Sequence, residues 1–353
     1  MRKTILALLL VFTAAAAAAF AWQGFTVSTR RLTATISEAE IPAPEPENKT
    51  ASLTFFGDIM LDRQVYNLAV RNGDLGYSFA NIENIFSLSD ANVANIEGPI
   101  TSFESEAAKT NGMRFTISPA FVQELKERLL ALSLANNHTL DFGEDGLRQT
   151  KKNLSDGGIT FFGDYDNRGD NVSAVIAVKE IKFGLVGYHA LSGKNFANVI
   201  LDIKKLKETT DFVIVAPHWG EEYELMPSEN QKREARLFID AGADAVIGGH
   251  PHVIQPAEIY KGKAIFYSLG NFVFDQYFSE DTMKGIAVRL ELKEADGALS
   301  PSYEIIPIQG NRMSQPALME QGGADSLLED FAGNSSVTEE KREEMRLFHR
   351  LTP

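Results

Sequence analysis

The sequence predicts an α/β fold in which strands and helices alternate along most of the chain. From Leu53 onward, short apolar runs alternate with helix-like segments at intervals typical of layered α/β folds. Hydrophobic residues make up 44% of the chain and charged residues 23%, an ordinary balance for a globular protein that excludes wholesale disorder. The length of 353 residues fits one α/β domain of about 250 residues with flanking segments, or two smaller domains.

Residues 1–22 have the pattern of a secretory signal peptide or a membrane anchor. Arg2 and Lys3 precede an uncharged stretch rich in Leu and Ala, and the triplet Ala19-Phe20-Ala21 has the form of a cleavage site. The stretch barely reaches the ~20 apolar residues that span a bilayer, so cleavage and anchoring both stay open. In either case we expect the rest of the chain to be exported, either secreted or anchored at the extracellular face of the membrane.

Residues 23–50 are expected to form a proline-containing linker. Prolines alternate there with small and acidic residues at 42–46, a composition that favours an extended spacer. The folded domain is predicted to cover residues 51–310. Residues 311–353 are polar, glycine-bearing and highly charged, and they predict a loosely structured tail without chemistry of its own.

Five predicted strands are followed by residues that commonly bind metals. The pairs of strand and following residue are Leu53–Phe56 with Asp58, Asn92–Ile96 with Glu97, Leu132–Ala135 with Asn137 and His138, Phe212–Ala216 with His218, and Ala245–Ile247 with His250 and His252. In open α/β sheets, ligands bind beyond the carboxyl ends of the strands, so these side chains are expected to meet at one edge. Five of the six histidines lie between residues 138 and 252, which favours a metal site over coincidence.

Two helices are marked by capping residues between these strands. Ser118 and a first-turn proline predict a helix that runs to about Leu130. Ser228 and Gln231 form a predicted capping box before a helix over Lys232–Ala241.

The side chains at this edge predict a site for divalent cations. Carboxylates and an Asn oxygen bind hard cations, and imidazole suits Zn, Mn, Fe or Ni. Such a site can activate a water and hold a tetrahedral anion such as phosphate. The chain contains no cysteine, which excludes disulfides, Cys-ligated zinc, iron–sulfur clusters and thiol nucleophiles.

The net charge of −14 argues against a general nucleic-acid binder, whose affinity would come from neutralising phosphates. It also argues against adsorption to anionic lipid. An anionic substrate would need a locally positive pocket or a cation. Arg63 and Arg114 are candidates to bind such a substrate by bidentate contacts.

Several motifs between residues 52 and 290 resemble one family, in the same order along the chain. They are Phe56-Gly57-Asp58 with Asp62-Arg63, Asn95-Ile96-Glu97-Gly98-Pro99, Ala135-Asn136-Asn137-His138 with Asp141, His218-Trp219-Gly220-Glu221, Gly249-His250 with His252, and Tyr267-Ser268 with Gly270-Asn271-Phe272. On these motifs the chain resembles the CapA/PgsA family, poly-γ-glutamate capsule biosynthesis proteins within the calcineurin-like metallophosphoesterase superfamily.

The resemblance implies a metallophosphatase-like four-layer α/β/β/α sandwich and a cell-surface role in making or processing an anionic polyglutamate capsule. The positions that match the superfamily's metal ligands are Asp58, Glu97, Asn137, His218, His250 and His252. Divalent Mn, Zn or Fe is implied, with one ion held tightly and a second left open. His138 stands where a general acid or transition-state donor is expected, and Asp141 could orient its ring.

Two departures from the superfamily pattern keep two functions open. The motif Asp-x-His reads Asp58-Ile59-Met60 here, and a methionine sulfur is a poor ligand for hard cations. The bridging position holds Glu97 instead of Asp. One hypothesis is a metal-dependent hydrolase that acts on a phosphoester or on a linkage of the capsule polymer. The other is a non-catalytic partner that binds the anionic polymer together with membrane synthase subunits.

Two further features are weaker. His189 follows the apolar run Phe183–Gly187 and fits a pocket-lining role as well as a structural one. Residues 160–164 repeat the letters of residues 54–58, but no second set of histidines accompanies them, so we expect a strand and a turn there.

Overall fold

The structure, a computed structural model, describes residues 49–295 and 297–353. The expected signal or anchor segment, 1–22, and residues 23–48 of the expected linker lie outside the described residues. Within the described residues, no helix is long and apolar enough to cross a membrane. The predicted α/β fold is confirmed, since two sheets and their helices make up the described chain.

The strands in chain order are β1 (Thr50–Ile59), β2 (Ala91–Ile96), β3 (Ala131–Ser133), β4 (Thr160–Phe162), β5 (Ser173–Val178), β6 (Ile181–His189), β7 (Phe212–His218), β8 (Ala245–Ile247), β9 (Ile254–Tyr260), β10 (Lys263–Leu269), β11 (Asn271–Val273), β12 (Lys284–Ala295), β13 (Ala298–Gln309), β14 (Ala317–Leu318) and β15 (Arg350–Leu351). The α-helices are α1 (Arg63–Asn72), α2 (Ala107–Thr110), α3 (Val122–Arg128), α4 (Gly143–Gly157), α5 (Phe196–Lys207), α6 (Glu229–Ala241), α7 (Gln321–Asn334) and α8 (Glu339–Phe348).

Each sheet has a parallel centre. The first has the order β14-β13-β12-β1-β2-β3-β4, in which β1 to β4 are parallel; β11 also pairs with β1, and β15 with β13. The second has the order β5-β6-β7-β8-β10-β9, in which only the edge strands β5 and β9 run antiparallel to their neighbours. Parallel neighbours bring the carboxyl ends of β1, β2 and β3 to one edge, and those of β6, β7 and β8 to another.

Three hydrophobic cores separate the layers. One lies between the two sheets and contains Leu53 of β1 and Ile214 of β7. The second packs the first sheet against α1, α3 and α4, the last through Leu154. The third packs the second sheet against α5 and α6, the latter through Phe238. The described chain is therefore layered as helix, sheet, sheet and helix.

The sequence of β7 shows how both faces of a central strand are buried. Phe212 and Ile214 belong to the core between the sheets, whereas Val213 and Val215 belong to the outer core. Side chains alternate between the faces of a strand, so a strand buried on both sides requires a continuous apolar run. The apolar run ends near the carboxyl end of the strand, where His218 is the first polar side chain.

Both predicted caps are present. The Ser228 side chain accepts a hydrogen bond from the Gln231 N–H, and the Gln231 side chain bonds back to the Ser228 backbone, which completes the capping box of α6. The Ser118 side chain caps a single 3₁₀ turn that leads into α3, and this helix ends at Arg128, two residues before the predicted end.

The expectation of a loosely structured tail at 311–353 is wrong, because this segment contains α7, α8 and two short strands. Leu328 and Phe331 of α7 and Met345 of α8 belong to the core between the sheets. Glycines and polar residues hide this pattern in the sequence, but the apolar side chains recur at helical spacing and cover one end of that core.

The packing of α7 yields a prediction for stability. Phe331→Ala should lower the free energy of unfolding by about 3–5 kcal/mol, because Phe331 is only 4% exposed and its truncation leaves a cavity. The control is Phe348→Ala in α8, where the ring is 70% exposed and the expected change is within about 0.5 kcal/mol. Urea unfolding followed by circular dichroism measures both, and equal midpoints for the two variants would contradict the docking of α7.

Candidate metal centre

The predicted metal-binding residues meet where the carboxyl ends of the two sheets face each other. The first sheet supplies oxygen-bearing side chains and the second supplies imidazoles, and the structure brings together Asp58, Glu97, Asn137, His218, His250 and His252. Asp58 lies within the last two residues of β1, Glu97 directly follows β2, and His218 ends β7. Metal binding by these six residues stays a prediction. Their burial, hydrogen bonds and charges show whether they suit a cation.

Asp58 is fully buried and held by two hydrogen bonds. Its Oδ1 accepts from Asn95 Nδ2 at 2.8 Å, and its Oδ2 accepts from the backbone N–H of His250 at 3.1 Å. Burial raises the pKa of Asp58 to about 6, because desolvation outweighs both hydrogen bonds. Neither donor carries a full positive charge, so a cation would supply what this carboxylate lacks.

Glu97 is the most exceptional side chain of the site. It is fully buried, and neither of its carboxylate oxygens has a hydrogen-bond partner among the described residues. The nearest ring nitrogens are His252 Nε2 at 3.6 Å and His138 Nε2 at 3.8 Å from Oε1. Burial, followed by the negative charge of Asp58, raises the pKa of Glu97 well above its usual range. A buried carboxylate without a partner is costly, and a bound cation would remove that cost.

The turn after β8 approaches Asp58 closely because residue 249 is glycine. A Cβ at Gly249 would lie only 2.8 Å from Asp58 Oδ1. His250 and His252 follow with φ of 96° and 58°, which is uncommon for residues other than glycine. Such backbone conformations cost of order 1–3 kcal/mol each and concentrate at functional sites.

Three atoms that could bind a metal lie close together at the His218 ring. Its Nε2 lies 2.8 Å from Asn137 Oδ1 and 3.1 Å from His250 Nδ1. Burial, reinforced by the neighbouring imidazoles, lowers the pKa of His218 well below its usual range and that of His250 to about 3. The rings are therefore neutral near pH 7, and neutral imidazole is the form that binds metals.

The hydrogen bonds of Asn271 assign the tautomer of His252. Asn271 Nδ2 donates to Gln276 Oε1 and to the Thr282 carbonyl, each at 3.0 Å, so its Oδ1 is the acceptor. His252 Nδ1 donates to this Oδ1 at 2.9 Å. The proton is thus on Nδ1, and Nε2, which faces Glu97, keeps its lone pair.

His138 and Asp141 lie beside the carboxylates in the arrangement that the sequence predicts. His138 Nδ1 lies 2.8 Å from Asp141 Oδ2, and Nε2 points toward Glu97. The ring stacks on Phe115 with 4.2 Å between centroids, and the Phe115 N–H donates to Asp141 Oδ2 at 2.7 Å. The imidazole is therefore held on two sides with one nitrogen directed at the site.

The two arginines proposed for substrate binding have different surroundings. Arg63 is buried, pairs with Asp275, and lies over the Phe115 ring at 4.9 Å from the centroid. Arg114 is exposed, donates from Nε to the Asp141 carbonyl at 2.6 Å, and lies over the Phe142 ring at 4.1 Å. Arg114 therefore keeps its outer nitrogens at the surface near His138, and both substrate roles stay predictions.

Two asparagines to which the sequence analysis assigns no role orient Asp58. Asn136 Nδ2 donates to Asn95 Oδ1 at 3.0 Å, and Asn95 in turn donates to Asp58. No signal beyond the family motifs could identify this series of hydrogen bonds from Asn136 through Asn95 to Asp58, because it depends on the register between β1, β2 and the turn after β3.

Met60 belongs to the core outside the first sheet, and its sulfur accepts the Asp62 N–H at 3.1 Å.

Two residues outside the predicted ligand set lie near it: Glu222 in the loop after β7, and His189 at the end of β6, for which the sequence leaves a pocket-lining and a structural role open. Glu222 lies with His250 and His252 in a group whose ligand atoms are all within 4.8 Å of one another. His189 pairs in register with His218; its Nδ1 donates to the Tyr165 carbonyl at 2.9 Å, and its buried Nε2 has no partner among the described residues. The repeat at 160–164 is a strand and a turn, since Asp164 accepts backbone N–H groups of that turn.

The residues present fit a divalent cation. One ligand atom each from Asp58, Glu97 and His218 lie within 4.8 Å of one another. Carboxylate oxygen, amide oxygen and neutral imidazole nitrogen are ligands that bind Mn, Zn and Fe in proteins. The orphaned oxygens of Glu97 are the clearest sign, because they require a positively charged or hydrogen-bonding partner.

Comparisons with known proteins identify the family of this chain. The family described as "Bacterial capsule synthesis protein PGA_cap" matches residues 52–276. "PGA biosynthesis protein CapA" of Bacillus subtilis strain 168 is 32% identical over 274 residues, covering 73% of this chain and 71% of that protein. "Capsule biosynthesis protein CapA" of Bacillus anthracis is 31% identical over 294 residues, covering 77% of this chain and 70% of that protein.

A crystal structure of a hypothetical protein from Thermus thermophilus is similar over 72% of this chain and 99% of that chain, with a TM-score of 0.45 and 14% sequence identity. The family match and the two Bacillus relatives confirm the CapA/PgsA resemblance of the motifs. The chain belongs to the PGA_cap family of bacterial capsule synthesis proteins.

Proposed function

We propose that this protein is a cell-surface, metal-dependent hydrolase that acts in the synthesis or processing of a poly-γ-glutamate capsule. Family membership and the names of its Bacillus relatives support the capsule role. One observation carries the metal dependence: the buried carboxylate of Glu97 lies between imidazole nitrogens and has no hydrogen-bond partner among the described residues. A cation bound there would activate water for hydrolysis. The layering of helix, sheet, sheet and helix supports a metallophosphatase-like sandwich.

The cation would be Mn, Zn or Fe, with one ion held tightly and a second left open. The residues that would supply ligands to this centre are Asp58, Glu97, Asn137, His218, His250 and His252. When bound, such an ion polarises a phosphoryl or carbonyl oxygen and makes water a stronger nucleophile. The chain itself contributes neutral imidazoles, fixed by burial and by hydrogen bonds such as that of His252 to Asn271.

His138 is the proton-transfer residue of this proposal. Asp141 holds the proton on Nδ1 and would stabilise the imidazolium form, so Nε2 can deliver a proton to a leaving oxygen. Phe115 covers one face of the ring, which limits its motion and excludes water from that side.

The substrate is proposed to be anionic, either a phosphoester or a linkage of the capsule polymer. Arg114, which is exposed beside Asp141, would bind a negative group that approaches His138. Arg63 is paired with Asp275, so it would contribute mainly by balancing charge near Glu97.

A non-catalytic role is the second candidate, and Met60 is the observation that favours it. Its side chain belongs to the core and cannot supply the imidazole that the superfamily motif places there. In that case the protein would bind the anionic polymer together with membrane synthase subunits and would hold its metal for structure.

The proton-transfer role predicts a specific loss of activity. His138→Gln should lower metal-stimulated turnover of a chromogenic phosphodiester by ~10²–10⁴-fold, because general acid–base catalysis contributes about that much. Metal content measured by elemental analysis should stay at the wild-type level, since His138 is outside the proposed ligand set. The control is His349→Asn at the end of α8, where φ is 51° and Asn is tolerated.

Two outcomes would contradict this assignment. Wild-type turnover in His138→Gln would remove His138 from the chemistry. No metal-stimulated turnover in any form of the protein, together with measurable binding of polyglutamate, would favour the non-catalytic role.

Export of the folded domain is a further part of the proposal. It rests on the signal-like pattern of residues 1–22 and the proline-containing stretch that follows. A reporter that is active only outside the cytoplasm, fused after residue 50, should be active in a bacterial host. Activity of a cytoplasm-specific reporter at the same junction would refute the orientation.

A further inference from the structure

A carboxylate outside the predicted ligand set lies next to the two histidines of the β8 turn. One ligand atom each from Glu222, His250 and His252 lie within 4.8 Å of one another. This group adjoins that of Asp58, Glu97 and His218, because His250 Nδ1 lies 3.1 Å from His218 Nε2. We propose that Glu222 is a metal ligand and that it forms, with His250 and His252, a second cation position. This inference rests on the proposed metal centre and adds a ligand to it.

The centre lacks a ligand on the side of the first sheet. Met60 occupies the position of an imidazole in the superfamily motif, but it lies in a hydrophobic core and its sulfur already accepts the Asp62 N–H. A second cation would therefore need a donor from another part of the chain. Glu222 offers a carboxylate on the side of the site that faces His252.

The loop carrying Glu222 is built against the histidine turn. The Tyr223 N–H donates to the Pro251 carbonyl at 2.8 Å, and the Trp219 N–H donates to the Gly249 carbonyl at 3.2 Å. Trp219 is fully buried, which anchors the start of the loop. Glu222 thus lies between two points that are hydrogen-bonded to the turn holding both histidines.

The charges around the site also favour a cation at Glu222. The negative charge of Glu222 also raises the pKa of Glu97, after the larger effects of burial and of Asp58. Three carboxylates therefore lie close enough to interact at this end of the site. Arg63 opposes them electrostatically but pairs with Asp275. Like charges gathered around neutral imidazoles favour cation binding.

The neighbouring Glu221 provides a matched control. It has the same side chain and is exposed, but it is not part of the group formed by Glu222 and the two histidines. Glu221→Gln and Glu222→Gln remove the same charge one residue apart, so general surface electrostatics would affect both variants.

The experiment is calorimetric titration of Mn²⁺ into the metal-depleted full-length chain, with circular dichroism to verify folding. Wild type should bind two equivalents, one more tightly than the other. Glu222→Gln should keep the tighter phase and weaken the second by more than the ~10–100-fold that loss of an outer-shell partner costs. Glu221→Gln should titrate as wild type does.

Two outcomes would overturn the inference while leaving the proposed function intact: two unchanged phases in Glu222→Gln, or equal weakening in both glutamate variants. Binding of no cation by the wild type would instead defeat the proposed function itself. An Asp58→Asn variant separates the phases, because it should weaken the tighter one.

Discussion

The stability of the site is governed by two buried carboxylates, those of Asp58 and Glu97, which have no positively charged hydrogen-bond partner among the described residues. Asp58 has only amide and backbone donors, and Glu97 has none among the described residues. The guanidinium that acts on Glu97, that of Arg63, is paired with Asp275. Even after relaxation, a buried charge costs several kcal/mol, so the site is stable only if the carboxyl groups take up protons or a cation binds. The imidazoles of His218, His250 and His252 are neutral near pH 7 and offer lone pairs, which favours the cation.

The two sheets contribute different side chains to the candidate metal centre. Parallel strands of the first sheet fix the carboxylates, and the amide chain from Asn136 through Asn95 sets the orientation of Asp58. The second sheet presents imidazoles from turns with unusual backbone, where His250 and His252 both have positive φ. The core between the sheets holds the two halves together. The helical tail adds Leu328, Phe331 and Met345 to that core.

Much of the centre follows from sequence because strand ends are easy to recognise. An apolar run such as Phe212–Val215 predicts a buried strand, and the polar residue that ends it must lie at the sheet edge. The capping box of α6 is equally local. The tail helix α7 is harder to predict from the sequence, because glycines and polar residues separate its apolar residues. Their burial depends on contact with the core between the sheets, which is formed by distant parts of the chain. The roles of Asn95 and Glu222 are harder still to predict. The register of β1 with β2 brings Asn95 to the site, and hydrogen bonds between two loops bring Glu222 there.

The most direct test of the cation site is thermal unfolding at pH 8 of wild type and Glu97→Gln, each with chelator and with excess Mn²⁺. Cation at 100 times its Kd should stabilise wild type by about 2.7 kcal/mol, seen as a rise in Tm. In chelator, Glu97→Gln should have a higher Tm than wild type, because the neutral amide removes a buried carboxylate, and Mn²⁺ should then raise its Tm much less. If the Tm of wild type is the same in chelator and in Mn²⁺, the buried carboxylates do not form a cation site, and the proposed metal centre is wrong.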